Sequence, residues 1–236
     1  MTTKNRFPSG HTKSAFSLVE LLVVIAIIGI ISAFAVPAVG NLLKGSSLTQ
    51  ASNILTDQTA SARQYALTRN RSVEVRFYRF WNSENPGEDV KDDLEKKSEV
   101  FPHGAPYRAV QFFEIADGGI PNPTGKLARF PQTVIMTPDP TLSSILSMVA
   151  NSPNANDPDM PGTVGRQYKY VSFRFQPDGT TSLSPTGGPS VGKWFITAHL
   201  ETDLGRASSG TPPPNFFTWM IDPVSGSTRV VRPGVK

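Results

Sequence analysis

Phe16-Ser-Leu-Val-Glu20-Leu-Leu-Val-Val-Ile25-Ala-Ile-Ile-Gly-Ile30-Ile-Ser-Ala-Phe-Ala35-Val36 holds one charged side chain, Glu20, in 21 residues. As a helix rising about 1.5 Å per residue it spans roughly 31 Å, close to the ~30 Å hydrocarbon core of a bilayer. Its Val and Ile content favours a strand in water. In lipid, however, every backbone N–H and C=O must be satisfied within the segment, and a helix does that. The stretch therefore reads as a membrane-inserted helix. Upstream, Lys4, Arg6 and Lys13 give a short basic leader. By the positive-inside rule those charges place the N-terminus in the cytoplasm and the remainder across the membrane.

Glu20 is the informative exception. A carboxylate inside a membrane helix costs on the order of 2.5–3.5 kcal/mol at the centre and less near the edge, so it usually has a partner. In an arbitrary signal anchor it would reach water at the interface. Here the arrangement Phe16-Ser-Leu-Val-Glu20, then the apolar run, then Pro37, resembles the N-terminus of type IV pilins and the pseudopilins of type II secretion systems. The resemblance implies cleavage between Ala15 and Phe16 by a prepilin peptidase and methylation of the new amine. With Phe16 as first mature residue, Glu20 is the fifth and Pro37 the twenty-second, as the family pattern has them. The residue before the cut is usually Gly and here is Ala15, which predicts intact but slower processing. The resemblance further implies that Phe16 and Glu20 are assembly residues, Glu20 pairing with the N-terminal amine of a neighbouring subunit. Small residues between Gly29 and Ala38 also leave room for an ordinary secretory cut after the apolar region.

The formal charge is +4, of which the leader supplies three, so the rest of the chain is near neutral and has no long basic run. Nucleic acid is not an expected partner. Cysteine is absent, which excludes disulfides, thiolate chemistry and Cys-based zinc sites. It also removes the disulfide loop of many major pilins, which favours a minor subunit.

Beyond Pro37, read as a helix kink, the chain is expected to stay helical. Leu48, Ala51, Leu55, Ala62 and Ala66, interrupted by Thr59, recur at helical spacing and predict an amphipathic helix ending near Asn70 and packed on its own sheet. Strands are expected at 72–81 (Val73, Val75 and Phe77 on one face), 108–116, 132–136, 168–175, 180–184, 193–201, 216–222 and 228–232. Thr141 is the expected N-cap of a short helix through Val149. Residues 82–107 and 151–165 read as exposed loops, and Gln176-Pro-Asp-Gly179 and Pro223-Val-Ser-Gly226 as turns. The fold class is α+β, a long N-terminal helix against antiparallel β-structure. Its expected divisions are a leader at 1–15, a membrane and filament-core helix at 16–45, and a periplasmic domain at 46–236. The helix end at Ala62–Val75 and the two turn units are similar to minor pseudopilins of the GspH/FimT type. The size and N-terminus also resemble the pilin-like cassette protein D family of Verrucomicrobia.

No enzyme motif stands out. His11 is in the leader, and His103 and His199 lack metal-ligand spacing. There is no G-x-S-x-G elbow or phosphate-binding loop. Asn156, Asp157 and Asp159 form a weak calcium pattern, broken by Pro158 and without a further carboxylate at EF-hand spacing. Trp81, Trp194 and Trp219 read as core residues of strands. No cofactor is expected. The reading is a minor (pseudo)pilin of the inner membrane that primes or builds a periplasmic filament, its partners the peptidase, other pilins and an assembly platform. The alternatives are a tip adhesin or DNA-uptake pilin, with an exposed aromatic or basic patch, and a signal-anchored enzyme or binding protein, with a pocket of converging titratable groups.

Overall fold

The computed structural model describes residues 18–80, 105–154, 157, 159–160, 165–166, 168–187, 192–207 and 213–233, with the side chains of 34–43 excepted. Helix α1 runs Leu18–Arg69. The chain divides into two compact units, Met1–Leu43 and Lys44–Lys236.

In the second unit the spaced stripe decides the packing. Leu48, Ala51, Leu55, Ala62 and Ala66 are all buried against the sheet. Thr59 sits in the same stripe without an orphaned hydroxyl, because its Oγ1 donates to the Leu55 carbonyl at 2.8 Å. The helix stops at Arg69, and Asn70 takes a left-handed φ of 53°, a conformation Asn tolerates better than most residues at a helix end.

Among the described residues the sheet has nine strands: β1 (Val73–Arg79), β2 (Tyr107–Ile115), β3 (Pro121–Pro123), β4 (Ala128–Arg129), β5 (Val134–Met136), β6 (Lys169–Phe175), β7 (Trp194–Leu200), β8 (Phe216–Ile221) and β9 (Thr228–Val231). The order is β6-β1-β2-β5-β7-β8-β9, all pairs antiparallel. One edge of β2 is tiled by three short segments: β3 opposite Phe113–Ile115, β4 opposite Ala109–Val110, and β5 opposite Tyr107. Proline fits β3 because that strand pairs on one side only and an absent N–H there costs no ladder bond.

The face towards α1 carries the main core, with Val73, Val75, Phe77, Phe173, Phe217 and Trp219 among its members. The opposite face of β1 is buried as well, since Glu74, Arg76 and Tyr78 lie under a second cluster containing Phe113, Met160, Tyr168 and Tyr170. Trp194 and Trp219 are core residues, whereas Trp81 and His103 lie outside the described residues, as does 81–104, which covers most of the expected loop 82–107.

Two expected elements differ. Residues 141–149 form consecutive turns rather than a helix. The N-terminal half of β7 has no β5 partner, and the Ser143 and Ser144 hydroxyls take its place, accepting from the Thr197 and Phe195 amides at 3.1 and 2.9 Å. Serving that edge sets the backbone of 143–148. The cap here is Asp139, whose Oδ1 accepts from both the Thr141 amide and its hydroxyl. Residues 180–184 make one bridge, Phe175 to Thr181, instead of a strand, because Thr181 donates its amide and its hydroxyl to the Pro223 carbonyl.

Candidate functional site

The N-terminal part of α1 has no apolar stripe. Leu18, Val19, Leu21, Leu22, Val23, Val24, Ile25, Ile27, Ile28, Ile30 and Ile31 point around the whole helix, and their exposures run from 45% to 79%. Covering a Val, Leu or Ile side chain is worth about 1.5–3 kcal/mol, so eleven of them represent on the order of 20 kcal/mol of gross driving force for lipid or other helices to enclose this surface. Glu20 lies in the first turn, where the helix dipole favours a negative charge. Ala15 and Phe16 lie outside the described residues, and the helical backbone continues through Pro37. Described side chains of the apolar run end at Ala33. Among the described residues, no helix is long and apolar enough to cross a membrane.

Residues 11–36 match the family model of the prokaryotic N-terminal methylation motif. The motif contains the leader end, Ala15, Phe16, Glu20 and the apolar run, and stops just short of Pro37. It supports a prepilin-like chain that is processed by a prepilin peptidase, anchored at the cell envelope and assembled with other pilins. Such a motif points to a structural subunit and not to an enzyme. Neither a curated protein nor a solved structure matches the chain.

The remaining residues singled out from the sequence fall in the globular unit. Asp157 is buried and its carboxylate is engaged twice: Oδ1 accepts from Arg76 Nη1 at 2.5 Å, and Oδ2 from the Asn154 amide at 2.8 Å. Asp159 is exposed, 3.6 Å from Arg166. Asn156 lies outside the described residues. Among the described residues no group of three or more His, Asp or Glu is placed to hold a metal ion. His199 is wholly buried in β7, with Nδ1 2.8 Å from the Leu200 carbonyl and no hydrogen-bond partner at Nε2. Burial pushes its pKa below the ordinary value, while the Leu200 carbonyl and Asp203 pull in the opposite direction.

Two arginines escaped the sequence reading. Arg63 reaches from α1 to the Ser225 carbonyl at 2.9 Å, beneath the point where the two turns meet. There Gly226, at φ 65°, lies so close that a Cβ would stand 2.2 Å from the Gly179 carbonyl oxygen. Arg76 is buried on β1 beside Glu74. The only hint of it was Glu74 and Arg76 two apart, hence on one face of a strand.

Proposed function

We propose that this chain is a minor (pseudo)pilin, a structural subunit or initiator of a type II secretion or type IV pilus-like filament. Cleavage between Ala15 and Phe16 and methylation of the Phe16 amine precede assembly. The 16–36 segment crosses the inner membrane with its N-terminus cytoplasmic, and the 46–236 domain is periplasmic. On leaving the membrane, the 16–45 helix packs among the helices of neighbouring subunits, with Pro37 as its kink. The observation that supports this reading most is the coincidence, on one stretch, of the methylation motif and a helix whose apolar side chains are exposed all round.

Glu20 supplies the register of that packing. A carboxylate carried into an apolar bundle needs a cation, and the Phe16 amine of the adjacent subunit provides it without adding length. Removing one member of a buried ion pair costs about 3–5 kcal/mol. Glu20→Ala should therefore be cleaved normally yet fail to co-purify with partner pilins after cross-linking in membranes. Normal incorporation of the alanine variant would refute the pairing. The turn units Gln176–Gly179 and Pro223–Gly226 favour a GspH/FimT-like member within this class, and the loops at 82–107 and 151–165 are the contact surfaces for neighbours or cargo.

A further inference from the structure

A buried polar cluster in the described globular unit lies on the sheet face away from α1. At its centre is the Arg76 guanidinium, 2.9 Å from Glu74 Oε1 through Nε and 2.5 Å from Asp157 Oδ1 through Nη1. It lies over two aromatic rings, with Cζ 4.6 Å from the Phe113 centroid and 4.4 Å from that of Tyr170. The side chains of Arg76, Glu74 and Asp157 are 3%, 6% and 0% exposed. Burial disfavours the charged guanidinium, but Asp157 and Glu74 outweigh it, so the pKa ends above the ordinary arginine value.

Of the three, Glu74 and Arg76 lie on β1 and Asp157 comes from outside it. It belongs to a Pro-, Asn- and Asp-rich segment whose apolar anchor in the second cluster is Met160. Around it the segment ties itself together: the Asp157 amide donates to the Asn154 carbonyl, and Arg166 Nη2 donates to the carbonyls of Asn154 and Asp157. Asn151 adds a two-bond bridge to Tyr170 on β6. The carboxylate is thus the peg, and Arg76 the socket.

We propose that Arg76 is a built-in cation that latches Asp157, and with it Asn154 and Arg166, onto the outer face of the sheet, doing there what a bound divalent ion would do for an acidic loop. Both Asp157 oxygens are spoken for by N–H donors, and the remaining carboxylate, Asp159, faces solvent beside Arg166. The attachment of Asn154, Asp157 and Arg166 is then independent of calcium.

The test uses the full-length chain in detergent. Hydrogen exchange followed by mass spectrometry should show the Asn154 and Asp157 amides protected equally in millimolar calcium and in chelator. Limited proteolysis should then cut Asp157→Asn between residues 151 and 166 at least about tenfold faster than the native chain, since a lost buried pair exceeds the 1.4 kcal/mol that a tenfold change requires. Far-UV circular dichroism should meanwhile keep its native form, and Asp159→Asn should cut at the native rate. Calcium-dependent protection of the native chain, or unprotected Asn154 and Asp157 amides, would overturn the latch even if Asp157→Asn fails to fold. Native-rate cleavage of a folded Asp157→Asn would overturn it too.

Discussion

Helix α1 contains two kinds of sequence, and they teach different things. Between Leu18 and Ile31 the large apolar side chains face every direction of the helix and are all exposed. Between Lys44 and Arg69 the apolar residues fall on one stripe, and that stripe is buried against the sheet. The same backbone conformation serves both. What differs is the angular distribution of the side chains, and that distribution tells whether a helix seeks one partner face or an apolar solvent.

Substitutions in the two stretches should separate them. The largest effect is expected in the striped half: Leu55→Ala, at a fully buried position, should lower unfolding stability by about 2–5 kcal/mol in denaturant titrations. If it costs under 1 kcal/mol, the stripe is not the core described. Next comes the close approach of the two turns at Gly226. Gly226→Ala puts a Cβ into a left-handed position and against a backbone oxygen, and should cost about 1–3 kcal/mol, read from the same titration.

A smaller effect is expected from His199. Its folded pKa lies below the ordinary value of 6.5, so the unfolded chain binds the proton more readily. The contribution is complete above about pH 6.5 and is lost as pH falls below it, because stability rises with pH wherever the unfolded state holds more protons. His199→Gln should flatten the acid side of the stability profile, and an unchanged profile would assign the slope to other groups. Least of all should Ile25→Ala affect unfolding of the globular unit, by less than about 0.5 kcal/mol, while it weakens recovery in cross-linked assemblies.

The same contrast explains what could be read from the chain. The stripe at Leu48, Ala51, Leu55, Ala62 and Ala66 was legible because helical spacing is a local property, and so were β1, β6, β7 and β8, whose apolar runs are bounded by turn residues. What could not be read depends on distant chain. The turns at 141–149 replace a plausible helix because the Ser143 and Ser144 hydroxyls serve the edge of β7, some fifty residues away. Strand β3 exists because β2 offers it an edge, and nothing in Pro121-Asn-Pro123 announces that. The burial of Glu74 and Arg76 on the other face of β1 was not legible, because Asp157, which meets Arg76, comes from 81 residues down the chain. At the N-terminus the motif over residues 11–36 was legible as a whole, since the basic charge, the small residue before Phe16, Glu20 and the apolar run are all set by local spacing.

The central claim, that the apolar half of α1 is released for assembly by removal of its basic leader, is tested most directly by the mass and N-terminal sequence of the chain purified from native membranes. A first residue of Phe16 carrying one additional methyl group is the predicted result. A chain still beginning at Met1, or one trimmed past Pro37 into a free globular body, would contradict it.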